Sequence, residues 1–549
     1  MKKIALVYSV PMGEVYEQMG IAYIASFMRK NGWEVKIICL EAEQNALQSI
    51  IDYHPAIIGF NVVSSNILKM IEIIQIVKKH ISVHCVFGGV GASAEGLEII
   101  DDYDIVDVIV YGEGELTFLE LSNRLVNGSD IKGCKGIVYK KNGKIVKEPP
   151  RELIEDMDSL PFPARDILFQ HSGKMTKQWS AVFLSTSRGC IANCSFCDTF
   201  MIRDQPGKIW RGRSAQKVVE EIELIYHKGK YNIFHFQDRS FEDPGMIGYR
   251  RMRDIAQGII DRNLHIAFSI YIRAETWKQE HLPLIELLKK AGLLTVYIGL
   301  ESGSEYGLEV FNKRASLSDN YETVRLFKQQ HVSVIPGFIM FHPYNTFQEL
   351  RKNIDFLEET KFASINRLLY SKLLPTPKTE LYNRINTDNL FKTYNRRTGE
   401  NIPYNFIDTR IQNLSESVED EFFDYSDGIY SELIYTELSN LCAWNHKFLA
   451  GYMDLYDKVQ QMQKYCDEVL LEMNENNARV FRGLIQLAEN NADIDALRNY
   501  RRQYSFNYES KYKEVQNYKL KFFMHAKRLG YSNDVLGLDI LFGNSSSDN

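Results

Sequence analysis

Between residue 1 and about residue 380 the chain repeats one pattern: a short, almost continuously apolar, β-branched run, then an amphipathic stretch of helical spacing, then another such run. Strands that are apolar on both faces and separated by helices belong in parallel sheets covered on both sides, which restricts the fold to the α/β class. The pattern comes in two series. The first, to about residue 130, runs through "KKIALVYSV", "EVKIICL", "PAIIGFNVV", "VHCVFGGV" and "VDVIVYGEGE", with helices such as "MGIAYIASFMRKNGW", which closes at Gly32, and "NILKMIEIIQIVKKH" between them. It predicts a Rossmann-like, doubly wound sheet whose ligands sit beyond the carboxyl ends of the strands. The second series begins at "AVFLSTSRGC" and continues through "YNIFHFQD", "HIAFSIYIRAE", "LLTVYIGLESG", "VSVIPGFIMFHP" and "ASINRLLYSKLLP". Six strands fall short of a closed eight-stranded barrel, so a partial (β/α)6 barrel with its working groups at the C-terminal mouth is expected. In its first helix Ser214 suits the N-cap and Gly229 the stop.

The stretch "GIVYKKNGKIVKEPP" predicts a hairpin-like insert turning at Asn142-Gly143, followed by a proline-rich linker. Beyond residue 380 the texture becomes polar and helical, with "MDLYDKVQQMQKYCDEVLLEM" and "ARVFRGLIQLAENNADIDALRNYRRQY" reading as two long amphipathic helices and "GNSSSDN" as a frayed tail. The expected domains are thus 1–145 (Rossmann-like), 146–178 (linker), 179–380 (partial barrel) and 381–549 (helical), the last of these covering the barrel mouth. A net charge of -6 with no basic run argues against nucleic acid as a partner. No apolar run approaches the ~18 residues of a membrane helix, and the N-terminus is too briefly apolar for a signal peptide, so a cytoplasmic location is expected.

Two groups of residues stand at the predicted strand ends. In the first domain these are Ser64 and Ser65, then Gly88, Gly89 and Gly91 of "GGVGAS", then Gly112, Glu113, Gly114 and Glu115 of "GEGE". Glycines there let backbone approach a bulky or phosphate-bearing ligand, although glycine is common in any βα turn. In the second domain the loop after the first strand, "SRGCIANCSFC", gathers Cys190, Cys194 and Cys197 in a chain with only eight cysteines. In a reducing compartment such clustering reads as metal-binding or catalytic rather than as a disulfide framework. A structural zinc site would want a fourth ligand, for which His171 or His235 is a candidate. A four-iron cluster held by three thiolates instead leaves one iron open for a small molecule.

The "CIANCSFC" loop, with Phe196 before its last cysteine, resembles the signature of radical S-adenosylmethionine (SAM) enzymes. "WRGRSAQKVVEEIE", "FQDRSF", "GLESGS", "GFIMFHPYNT" and "LPTPKTELY", together with "GGVGAS" and "VIVYGEGE", resemble the branch of that superfamily that carries an N-terminal cobalamin-binding domain. The resemblance spans residues 1 to about 380. It implies a [4Fe-4S] cluster on Cys190, Cys194 and Cys197, with SAM on the open iron, reduced by an external flavodoxin- or ferredoxin-like donor and cleaved to a 5′-deoxyadenosyl radical. It also implies that Phe196 flanks the cluster, that Arg273 and Glu301 contact SAM, and that Arg211 and Arg213 hold the SAM carboxylate or merely pair with surface carboxylates. Asp238 is either a SAM-side group or a strand-end cap.

The first domain departs from many cobalamin-binding domains, since the loop after its first strand, "VYSVPMGEVYEQMG", contains no histidine. His54 and His84 precede strands and belong at the wrong end of the sheet. The expectation is cobalamin, if bound, without a histidine on its lower face. Its expected use is methylation of an unactivated carbon in a peptide or natural-product intermediate; a rearrangement, cyclisation or peptide crosslink is the alternative.

Overall fold

A computed structural model of the chain describes residues 2–10, 17–170, 181–199, 203–229, 231–242, 244–393, 402–419, 425–444 and 455–530. Most of the histidine-free loop, His171 and the "GNSSSDN" tail lie outside the described residues. The first sheet holds β1 (Lys3–Tyr8), β2 (Glu34–Cys39), β3 (Ile57–Asn61), β4 (His84–Gly88) and β5 (Val108–Val110), parallel and ordered β2-β1-β3-β4-β5. Strict alternation serves two cores at once. Ile4, Leu6 and Tyr8 enter the one on one face, and Ala5 and Val7 the other. The strand order reverses between β1 and β3, where such sheets open a crevice.

The predicted hairpin exists as β6 (Ile137–Lys141) and β7 (Lys144–Lys147), with Asn142 and Gly143 both at positive φ (51° and 72°), as a tight two-residue turn requires. It is not a separate insert: β6 pairs antiparallel with β5 and extends the first sheet to seven strands. The following linker is pinned to both halves. Ile167 packs into the first domain's core, while its neighbour Leu168 packs into the barrel's.

The second sheet is parallel and ordered β8-β9-β10-β11-β12, from β8 (Val182–Leu184), β9 (Ile233–Phe236), β10 (Ala267–Arg273), β11 (Leu293–Glu301) and β12 (Ser333–Phe338). The expected sixth strand is reduced to one parallel bridge between Phe341 and Lys372. The rest of that segment coils into short 3-10 turns, Phe362–Ser364 and Asn366–Tyr370, which bury Phe362, Ala363, Leu368 and Leu369. The edge of β12 is met instead by the helix Tyr425–Trp444, whose Tyr435 hydroxyl donates to the Val334 carbonyl at 2.6 Å.

The C-terminal helices divide differently from their sequence. One 34-residue helix, Tyr456–Glu489, runs through both predicted segments, and the break falls later, at Asn490 to Asp493. Asn491 adopts positive φ (62°) and Asp493 caps the next helix by accepting from Ala496 N–H. These helices dock on the open edge of the barrel: Asn474 and Asn477 donate to the carbonyls of Glu358 and Ala363. That is a different place from the expected cover over the mouth.

Candidate active site

The loop leaving β8 is fixed before it reaches its first cysteine. Ser187 and Arg188 pair with Arg211 and Gly212, and Gly189 then turns at φ 86°, where an added Cβ would lie 1.9 Å from the Ile209 carbonyl oxygen. Only glycine fits there. Between the cysteines, Ser195 is the anchor: its N–H donates to Phe311 O (2.9 Å), its hydroxyl to Val310 O (2.8 Å), and its carbonyl accepts from Leu381 N–H. Phe196 meets the Phe311 ring edge-on at 5.5 Å.

Cys190 is buried, and Cys194 and Cys197 are half-buried. Burial pushes the Cys190 thiol up, and the Cys194 thiol to about 11; for Cys194 the charges of Glu301, Cys197 and Cys190 add to the rise, and Lys313 opposes it. Three thiols this close cannot all ionise without a cation among them, so the donor set suits a metal cluster. Among the described residues no three His, Cys, Asp or Glu side chains stand in finished metal geometry. Cys197 Sγ is turned to Thr199 Oγ1 at 3.0 Å. None of the eight cysteines forms a disulfide.

Facing this loop is a polar pair at the end of β11. A register shift between Gly299 and Glu301, with Glu301 at φ 64°, aims its carboxylate toward Lys313, whose ammonium is 3.9 Å away and donates to Gly299 O at 2.9 Å. Burial raises the Glu301 pKa, with Lys313 pulling it back. Burial works against the Lys313 charge, yet Glu301, Cys194 and Cys190 hold its pKa above the ordinary lysine value. Lys313 was not singled out from the sequence, because nothing local marks one cation among 65 lysines and arginines. Arg273, at the end of β10, is held by Glu275 (2.6 Å) and Ser240 (3.1 Å), beside a Glu242 whose carboxyl burial lifts to about 7.

The other predicted groups separate. Asp238 caps the first strand's exit, accepting from Thr186 N–H (2.7 Å), Ser187 N–H (2.8 Å) and the Thr186 hydroxyl. Arg211 and Arg213 do not face the cysteines. Arg211 donates to Glu113 at 2.8 Å, and Arg213 to Glu221 at 2.5 Å, on the seam between the two sheets. Around them Arg165 joins Glu17 to Glu221, and Arg188 joins Glu115 to Glu113, all buried or nearly so. Burial opposes ionisation of Glu113, but Arg188 and Arg211 hold its carboxyl below the usual range. Two separate acid–base chains therefore stitch the domains together.

Between the domains lies a cavity of about 420 Å³. Gly88, Gly89, Gly112, Glu113, Gly114 and Glu115 line it as expected, with Arg188, Gly189, Asp198 and Thr199 of the cysteine loop on the opposite wall. Ser64 and Ser65 do not; both are exposed, with Ser64 donating to Glu95. Gly91 is outside the lining as well and serves packing, since a Cβ there would press on the Val63 backbone at 2.8 Å. Sequence reasoning missed Gly59, Asn61, Gln205 and Gln237. Gly59 carried a signal, a glycine inside a buried strand, which marks close approach: a Cβ there would meet Leu6 at 2.8 Å and Phe118 at 3.2 Å. The lining holds no histidine among the described residues, and His54 and His84 lie at the opposite strand ends. An amide-and-glycine wall over an apolar slot of Leu6, Ile24, Val86 and Phe118 suits a large, neutral, hydrogen-bonding ligand with a ring-bearing tail, as cobalamin is.

Comparison with known proteins agrees with this division. The profile of the Radical SAM superfamily matches residues 184–357, and that of the B12 binding domain residues 6–122. An uncharacterized methyltransferase of Pyrococcus horikoshii is 31% identical over 391 residues, 70% of this chain and 82% of that protein. The 4′-phospho-dehydrooxetanocin synthase of Priestia megaterium is 28% identical over 64% of this chain and 50% of its own length. Among solved structures, the cobalamin-dependent SAM radical enzyme OxsB with aqua-cobalamin and SAM bound superposes with a TM-score of 0.72 at 20% identity, covering 100% of this chain and 85% of that one. The loop of three cysteines, the sheet that carries it and the glycine-edged sheet facing it thus form one arrangement, and the chain belongs to the radical SAM superfamily, in the branch that bears an N-terminal B12-binding domain.

Proposed function

We propose that this chain is a cobalamin-dependent radical SAM methyltransferase that acts on an unactivated carbon of a peptide or small natural-product intermediate. One observation carries the reading: the inter-domain cavity is bordered by the glycine strand ends of the first sheet and by Asp198 and Thr199, the two residues after Cys197. A ligand there would stand directly over the cysteine loop. When bound, a [4Fe-4S] cluster supplies the electron that splits the SAM carbon–sulfur bond, and cobalamin supplies a methyl carrier.

The chain's own residues do the rest. Cys190, Cys194 and Cys197 would hold three irons, and Ser195 keeps their loop against the end of the helix Glu305–Val310. Glu301 and Lys313 form a carboxylate and an ammonium side by side beside Cys194, complementary to the ammonium and carboxylate of the methionine part of SAM. This pair replaces Arg211 and Arg213, whose charges are spent on the seam. Gly59 leaves room for the cobalamin tail, and Arg188 and Glu113 close the cavity wall. A small external reductant is needed, and a cytoplasmic setting suits eight reduced cysteines.

The test is anaerobic reconstitution with iron, sulfide and hydroxocobalamin, followed by SAM and dithionite. Iron, cobalamin and 5′-deoxyadenosine are expected together. Protein that binds iron and cleaves SAM but excludes cobalamin would remove methyl transfer from the reading.

A further inference from the structure

The inner face of the barrel sheet is unlike its outer face. Outward, Phe234, Phe236, Ile270, Val296 and Ile298 are buried in the core beneath the helices. Inward, the register sets a lower row of Phe183, His235, Ser269, Thr295 and Ser333, and above it Tyr271, Tyr297 and Ile335. Above Tyr297 and Ile335 comes the register pair Gly299 and Gly337, with no side chain on either, and Glu301 and Lys313 stand at the rim. Below, Thr295 is joined to Asn440 of the helix Tyr425–Trp444 at 3.0 Å.

These two rows contain no formal charge. His235 Nδ1 is 2.5 Å from Ser269 Oγ and Nε2 is 3.3 Å from the Tyr271 hydroxyl, and its ring touches Phe183, Tyr271 and Tyr297 edge-on. Tyr271 and Tyr297 stack at 4.7 Å, and Tyr271 is 38% exposed, an unusual degree for a large side chain on the inside of a sheet. Among the described residues, the charges that Tyr297 and Tyr271 feel are already paired: Glu432 with Arg367, and Arg239 with Asp198. An anionic or cationic group lowered onto the wall would lose hydration and find no opposite charge in either row to replace it. An uncharged ring loses nothing on the Tyr271 face and gains hydrogen bonds from its polar edge.

We infer that the inner wall around Tyr271, Tyr297 and His235 is the substrate subsite, and that it takes an uncharged, planar, ring-bearing group with a hydrogen-bonding edge. Charged parts of the same substrate stay outside the wall. This rests on the enzyme reading above and adds to it the class of the reacting group.

The test uses iron-reconstituted full-length protein and two probes, indole and phenyl phosphate, by saturation-transfer NMR with and without SAM. Indole is expected to bind wild type, to weaken at least fivefold in Tyr271→Ala and to recover in Tyr271→Phe, with SAM affinity unchanged throughout. Phenyl phosphate is expected to bind at least tenfold more weakly than indole. The inference is overturned by indole binding that ignores Tyr271→Ala, by equal binding of phenyl phosphate, or by no indole binding to wild type. Loss of SAM binding by the wild-type protein would instead overturn the enzyme reading, and the indole measurement made without SAM separates the two.

Discussion

The Lys313 ammonium is buried beside two cysteine thiols with the Glu301 carboxylate 3.9 Å away, and a ligand carboxylate would offset more of the cost of burying it. Lys313→Met is therefore expected to weaken SAM binding about tenfold, roughly 1.4 kcal/mol, while binding of 5′-deoxy-5′-methylthioadenosine, which lacks the amino-acid part, stays the same. Equilibrium dialysis of both ligands checks this, and parallel weakening of both would indicate a collapsed loop. His235 gives a pH test. Burial lowers its pKa from 6.5 to about 4, so the folded state prefers the neutral ring. Its contribution is complete above pH 6.5 and is lost as pH falls toward 4, amounting to a few kcal/mol at most by linkage. Urea midpoints at pH 7 and 4.5 should differ less in His235→Asn than in wild type. The cysteines were legible in the sequence because their spacing is local. Lys313 was not, because the β11 bulge that brings Glu301 to it is a property of the sheet.

At the scale of elements, the strands and helices to residue 360 follow their periodicity closely, since each strand's alternation and each cap is written within a few residues. Ser214 receives the N–H of Lys217 at 3.2 Å, as its position predicts. The sixth strand failed for a non-local reason. Its residues are apolar enough for a strand, but the helix Tyr425–Trp444 occupies the edge it would have paired with. Two glycines carry element-scale predictions. Gly59→Val should fill the slot beside Leu6 and Phe118 and abolish cobalamin uptake while iron content is retained, as read from absorption spectra. Gly189→Ala forces a Cβ against the Ile209 carbonyl and should reduce iron incorporation severely, leaving cobalamin uptake less affected.

At the scale of the whole molecule, the seam was invisible in the sequence because its partners lie far apart along the chain, as Arg188 and Glu115 do, and Arg165 and Glu17. "GEGE" was noticed for its glycines, yet its carboxylates also serve as anchors for the barrel. Arg188→Met would leave Glu115 buried without its partner, at a cost of about 3–5 kcal/mol. The expected result is a lower unfolding midpoint together with weakened cobalamin binding, since both walls of the cavity depend on that pair.

Ile167 and Leu168 are successive residues whose side chains are sunk into different hydrophobic interiors. One peptide unit is a rivet rather than a tether, and it offers no slack over which the two halves could swing apart. Entry of a bulky nucleotide-tailed ligand must then come by local loosening of single segments, and solution X-ray scattering should give the same radius of gyration before and after loading.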